Sequence, residues 1–210
     1  MREIPMPGQL ACRDLAAGDI LLKVNDGSVL AGAIQFGQAL RGGANPSVVH
    51  AGILFDPTFM IEAQGHGVSA NDLRVQNRDY GYYVFRCLHP NMAAGAGTCA
   101  KMMFDIHQSG NTLGYSILGA IGSLFGAGGS AATRTQMDDL LDRILTGRQH
   151  RFFCSQFVVY VYQFVAEQNG VTAGNIFNVA DAKVPPSLLA AELSRHSSFV
   201  EVGYLMPGSR

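Results

Sequence analysis

Charge is the first thing this sequence is short of. Charged residues make up 15% of its 210 positions, against about a quarter in ordinary soluble domains. The formal net charge is −1, which gives no electrostatic case for nucleic acid or for a polybasic membrane contact. Long apolar runs are missing as well. No stretch supplies the ~18 consecutive apolar residues of a spanning helix, so no stable membrane insertion is expected. Met1-Arg-Glu-Ile-Pro-Met-Pro-Gly8 lacks the apolar core of a signal peptide, which predicts a product that is cytoplasmic as made. Cys12, Cys87, Cys99 and Cys154 form no CxxC pair and have no zinc spacing. A disulfide among the first three stays open, and there is no internal repeat.

What is present is apolar material and glycine. Hydrophobic residues reach 48% and glycine 25 positions, enough for one sizeable core with many tight turns. The length fits a single domain over 1–210. Residues 1–17 read as a loose lead-in. Gly18-Asp-Ile-Leu-Leu-Lys-Val24 reads as a strand closed by the turn signal Asn25-Asp-Gly27. Residues 28–41 suggest a helix, 47–55 and 58–63 two strands joined at Asp56-Pro57, and 81–87 a third after a polar stretch. Beyond Pro90 the texture turns helical: 92–108, the glycine-dotted apolar segment 113–127, the charged amphipathic 133–146, the segment from Cys154, and 185–193 with proline near its start. Ser198–Leu205 reads as a final strand. The expected class is α+β, a small antiparallel sheet packed with helices.

Cys154 opens an apolar run, with Phe157, Val158, Val161, Tyr162 and Val165 at helical spacing. That places Cys154 in the first turn of a helix, where free backbone N–H groups favour an anion and lower a thiol's pKa. A matching base lies on the strands. Alternation puts His50, Gly52 and Leu54 on one face, and Met60, Glu62 and Gln64 on one face of the next strand. Pairing Phe55 with Phe59 sets Gly52 opposite Glu62 and His50 opposite Gln64. The tighter pairing of Leu54 with Thr58 sets His50 directly opposite Glu62. In either register His50 and Glu62 are within reach, and a carboxylate holding an imidazole is the orienter role of a catalytic triad. Gly52 would leave room on that face for another group. A metal site with His66 as third ligand is the rival reading, but no HExxH or comparable spacing supports it.

These residues carry a family resemblance. Phe153-Cys-Ser-Gln-Phe-Val158 resembles the nucleophile segment of NlpC-type papain-like cysteine peptidases, written DCSGFV. His50-Ala-Gly-Ile-Leu-Phe-Asp-Pro-Thr-Phe-Met-Ile-Glu-Ala63 resembles their base segment, of the HVGIYLGNGKMIHA kind, and Glu62 falls where that pattern carries its imidazole-orienting residue. Gly18-Asp-Ile-Leu-Leu22 is similar to the GDLVFF strand. The order here is GDIL, His, Cys rather than Cys, GDLV, His, which looks like the circularly permuted branch that includes YiiX-like bacterial proteins and relatives of lecithin retinol acyltransferase. The chain departs from the pattern at Phe153 and Gln156, where the family has Asp and Gly, and residues 90–150 have no counterpart.

The resemblance implies a permuted papain-like fold and a cysteine hydrolase needing no metal or organic cofactor. Cys154 is the expected nucleophile, His50 the base and Glu62 its orienter, with Tyr115, Ser155, Gln156 and Gln64 as candidate substrate contacts. The implied substrate is an amide in bacterial peptidoglycan stem peptides. Without a signal peptide, that suggests a cell-wall recycling enzyme or an antibacterial toxin delivered to a target cell's periplasm, with an immunity or delivery protein as partner. The alternatives are a thiol acyltransferase or hydrolase acting on lipid or acylated protein, toward which the low charge and segment 113–127 lean, and a non-catalytic binding module. Segment 113–127 is expected to be either a core helix or a cap over the Cys154 cleft.

Overall fold

The computed structural model describes residues 8–24, 48–64, 67–109, 153–172, 175–177 and 184–208. Seven strands form one sheet: β1 (Gln9–Leu10), β2 (Ile20–Val24), β3 (Val48–Leu54), β4 (Phe59–Gln64), β5 (Gly67–Asp72), β6 (Tyr82–Cys87) and β7 (Phe199–Leu205). Their order across the sheet is β1-β7-β6-β2-β3-β4-β5. Three helices, α1 (Pro90–Gln108), α2 (Phe153–Gln168) and α3 (Pro186–Arg195), complete the described elements. The chain is therefore α+β, with a sheet larger than expected and mixed. Every pair is antiparallel except β1 with β7, which runs parallel.

Two regions differ from their sequence reading. The expected lead-in contains β1 and a single 3-10 turn over Cys12–Asp14. The polar stretch after Gln64 contains β5, whose Val68 and Ala70 alternate with Ser69 and Asn71. None of the four cysteines is in a disulfide. The helices expected over 28–41, 113–127 and 133–146 lie outside the described residues.

Strand alternation sorts the sheet into two faces. Ile20, Leu22, Ile53, Ile61, Ala63, Tyr83 and Phe85 join the main core with the helices. Leu21, Leu54, Met60, Tyr82 and Val84 pack on the other side with Leu10, Cys12, Leu15, Leu73 and Leu205. The central strand β2 needs apolar residues on both faces, which is why Ile-Leu-Leu reads as a run rather than an alternation.

Helix α1 lies close to the sheet because it presents small residues. A Cβ on Gly97 would sit 2.9 Å from the Leu54 carbonyl oxygen, and one on Gly18 2.1 Å from that of Ala93. Gly18 also has φ +84, a left-handed backbone that favours glycine. Helix α2 is buried nearly all round. Besides the expected stripe, Val159, Phe164 and Ala166 are within 1% of full burial, as befits a helix apolar on every side. The Tyr162 hydroxyl donates to the Gly18 carbonyl, and the Gln163 amide donates to the Phe177 carbonyl at 2.9 Å.

Candidate functional site

Asp56 sets the register that brings two of the site residues together. Its Oδ1 accepts from the Thr58 amide at 2.7 Å, the Thr58 hydroxyl at 3.0 Å and the Phe59 amide at 2.9 Å. This Asx-type turn holds the wider of the two loops. Phe55 donates to Phe59, and Ile53 pairs with Ile61 and Leu54 with Met60. The ladder ends at Ile53–Ile61, and beyond it the His50 ring on β3 still reaches the Glu62 carboxylate on β4. Where β3 pairs with β2, Lys23 faces His50 but Val24 faces Val48. Val49 is the extra residue of a bulge, a device that re-aims neighbouring side chains.

His50 Nε2 lies 2.6 Å from Glu62 Oε2. The Glu62 carboxylate is only 3% exposed, and its other oxygen is taken too. Oε1 accepts from Gln64 Nε2 at 3.1 Å and from Asn71 Nδ2. Burial pushes Glu62 toward protonation, but the bond to His50, its charge, and the Asn71 and Gln64 donors hold its pKa below the ordinary value.

Cys154, the second residue of α2, is 6% exposed. Its thiol hydrogen-bonds the His50 ring. The pairing of β3 with β4 covers Ile53–Ile61 and Leu54–Met60 and goes no further toward Ala51. At that opening the Ala51 backbone N–H reaches Cys154, and the Ser155 N–H adds a second backbone donor. Burial raises the Cys154 pKa, yet His50 and these two N–H groups outweigh it and leave the thiol lowered. Desolvation likewise lowers His50, but its bonds to Cys154 and Glu62 raise it to about 10. The three groups thus form one chain, in which the thiol and the carboxylate are held below their ordinary pKa values and the imidazole above its own.

The remaining candidates take different places. Ser155 is 0% exposed and its hydroxyl donates to the Val184 carbonyl, tying α2 to the segment ahead of α3. Gln156 is buried in the same turn. Gln64 is bonded to Glu62. Tyr115 and His66 lie outside the described residues. Among those described, no group of three or more His, Cys, Asp or Glu is arranged to hold a metal ion, and no helix is long and apolar enough to cross a membrane. Asn71 escaped the sequence reading because β5 did. The signal was the alternation Val68-Ser-Ala-Asn71, which puts Ser69 and Asn71 on one face.

No family model matches the chain, and no curated protein matches it in sequence.

Proposed function

We propose that the chain is a cysteine hydrolase of the circularly permuted NlpC-type, papain-like kind, acting on amide bonds. The observation that carries this reading is the bonded series Cys154, His50, Glu62, with the thiol pKa lowered and the imidazole pKa raised. A buried thiol with no task would be left protonated by its surroundings. The order of elements, β2 beside β3 and then the helix of Cys154, agrees with the permuted arrangement to which the motifs are similar.

In the proposed reaction the Cys154 thiolate attacks the amide carbonyl carbon, and the tetrahedral adduct's oxygen carries the charge. Backbone N–H groups at the start of α2 are placed to stabilise it. The C–N bond then breaks while His50 gives its proton to the leaving amine, forming a thioester on Cys154. Neutral His50 next takes a proton from water as the water oxygen attacks the thioester carbon. The S–C bond breaks, the carboxylic acid leaves, and thiolate and imidazolium are restored. Glu62 keeps the ring oriented and stabilises its charge throughout.

The stem peptides of bacterial peptidoglycan are the substrate class that the motif resemblance favours. Mass spectrometry of purified muropeptides, and separately of phosphatidylcholine vesicles, after incubation with the protein tests the reading. Muropeptides cleaved at an amide with uptake of one water, and uncleaved by Cys154→Ala, are the expected result. Loss of an acyl chain from the lipid instead would move the reading to acyl transfer or lipid hydrolysis on the same thiol. An active Cys154→Ala variant would remove the nucleophile.

A further inference from the structure

We propose that Asn71 and Gln64 are positioning residues for the reaction at Cys154: their side-chain amides clamp one oxygen of Glu62 so that the other is aimed at His50. This rests on the reading of Cys154 as nucleophile and adds two residues that act through the Glu62 carboxylate.

Glu62 stands on β4 with a flexible side chain and two oxygens that together accept about four hydrogen bonds. Oε2 is spent on His50 at 2.6 Å. Oε1 would otherwise be a buried acceptor without a partner, which is costly and invites either rotation or protonation. Two amides prevent both. Gln64 reaches Oε1 from two residues along the same strand, at 3.1 Å, and Asn71 reaches it from β5. The register Glu62↔Ser69 and Met60↔Asn71 puts Asn71 diagonally across from Glu62 on the shared face. Asn71 is steadied in turn by the Ser69 hydroxyl oxygen at 3.3 Å. An amide suits this role because it donates without a charge of its own. A lysine or arginine there would compete with His50 for the carboxylate.

The effect should travel from Asn71 through Glu62 and His50 to the sulfur. Weakening the clamp frees Glu62 to turn away or take a proton. Imidazolium is then less favoured, and Cys154 ionises at higher pH.

Iodoacetamide reads that ionisation without any need for the substrate. The Cys154 thiolate forms an S–C bond as the C–I bond breaks and iodide leaves with the electron pair. The full-length protein is alkylated across a pH series and the Cys154 peptide quantified by mass. The native midpoint is expected well below the ~8.5 of a free thiol. Asn71→Leu should raise it by about one pH unit, and Gln64→Leu should raise it in the same direction. Both shifts should vanish in a Glu62→Gln background, because the route runs through that carboxylate. An unchanged midpoint in Asn71→Leu, or the same shift with and without Glu62, overturns the clamp and leaves the nucleophile reading intact. A native midpoint near that of a free thiol overturns both. Gln64 is half-buried at a strand end, so its variant carries the test if Asn71→Leu does not fold.

Discussion

Burial alone would keep Cys154 protonated, as it does Cys99, whose fully buried thiol is pushed up to about 12. The difference between the two is a partner: His50 and two backbone N–H groups for Cys154, and desolvation unopposed for Cys99. Iodoacetamide at mildly acidic pH should therefore label Cys154 ahead of Cys12, Cys87 and Cys99, and uniform labelling would contradict the bonding described. The same accounting gives a pH window. Glu62 has a lowered pKa, so its contribution to stability is present above the unfolded value of 4.5 and lost as pH falls through the folded one. His50 is raised to about 10; its contribution is full below the unfolded value of 6.5 and lost as pH rises through about 10. Glu62→Gln keeps a hydrogen bond to the ring but no charge. Turnover should drop strongly, yet less than in His50→Ala, and the acid limb of the stability profile should flatten. Rate measurements and pH-dependent melting of the two variants check this.

Among the elements, the β3–β4 hairpin holds the site together, and its close approach depends on Gly52. The sequence suggested that Gly52 leaves room for another group, and the structure fills that room from the hairpin itself. A Cβ there would fall 2.7 Å from Met60 Cγ and 2.9 Å from the Ile61 carbonyl oxygen. The methionine could turn aside, but the backbone carbonyl could not without parting the strands. Gly52→Ala should cost about 1–3 kcal/mol of stability in urea denaturation. It should also raise the pH at which Cys154 ionises, since the His50–Glu62 bond spans the same two strands. A variant as stable as the native chain, with an unshifted thiol, would show that the hairpin adapts. The neighbouring β5 was harder to read because its apolar side chains, Val68 and Ala70, are few and flanked by Ser, Asn and Asp.

Across the whole molecule, one ion pair ties the start of the described chain to the middle of the sheet. Arg86 on β6 donates to Asp19 at 2.8 and 2.6 Å and to the Asp14 carbonyl at 2.9 Å. Asp19 also accepts from the Ala16 amide at 2.7 Å. The Asp19 side chain is 1% exposed and that of Arg86 34%. Removing the buried partner strands a charge, so Asp19→Ala should lower the unfolding free energy by about 3 kcal/mol, the low end for such pairs because Arg86 keeps contact with water. Replacing both, as Asp19→Leu with Arg86→Met, should cost less than Asp19→Ala alone. Denaturant titration of the two variants decides it, and equal losses would mean that the pair acts by packing rather than by charge.

Strands β2, β3, β4, β6 and β7 and the three described helices are legible in the sequence. So are the common strand face of His50 and Glu62 and the place of Cys154 at the head of an apolar helix. These are properties of periodicity, and periodicity is local. The hairpin register, set by the Asp56 turn, and the sheet order, which puts β6 and β7 on the far flank of β2, emerge only when the chain is packed. The pKa shifts at the site are decided by that packing too. Whether Cys154 is thiol or thiolate depends on burial by surrounding elements and on donors from β3 and α2. The ionisation of Glu62 depends on burial and on His50, and further on an asparagine from a strand that the sequence barely announces. Such sums run over groups far apart in the chain, and no window of residues contains them.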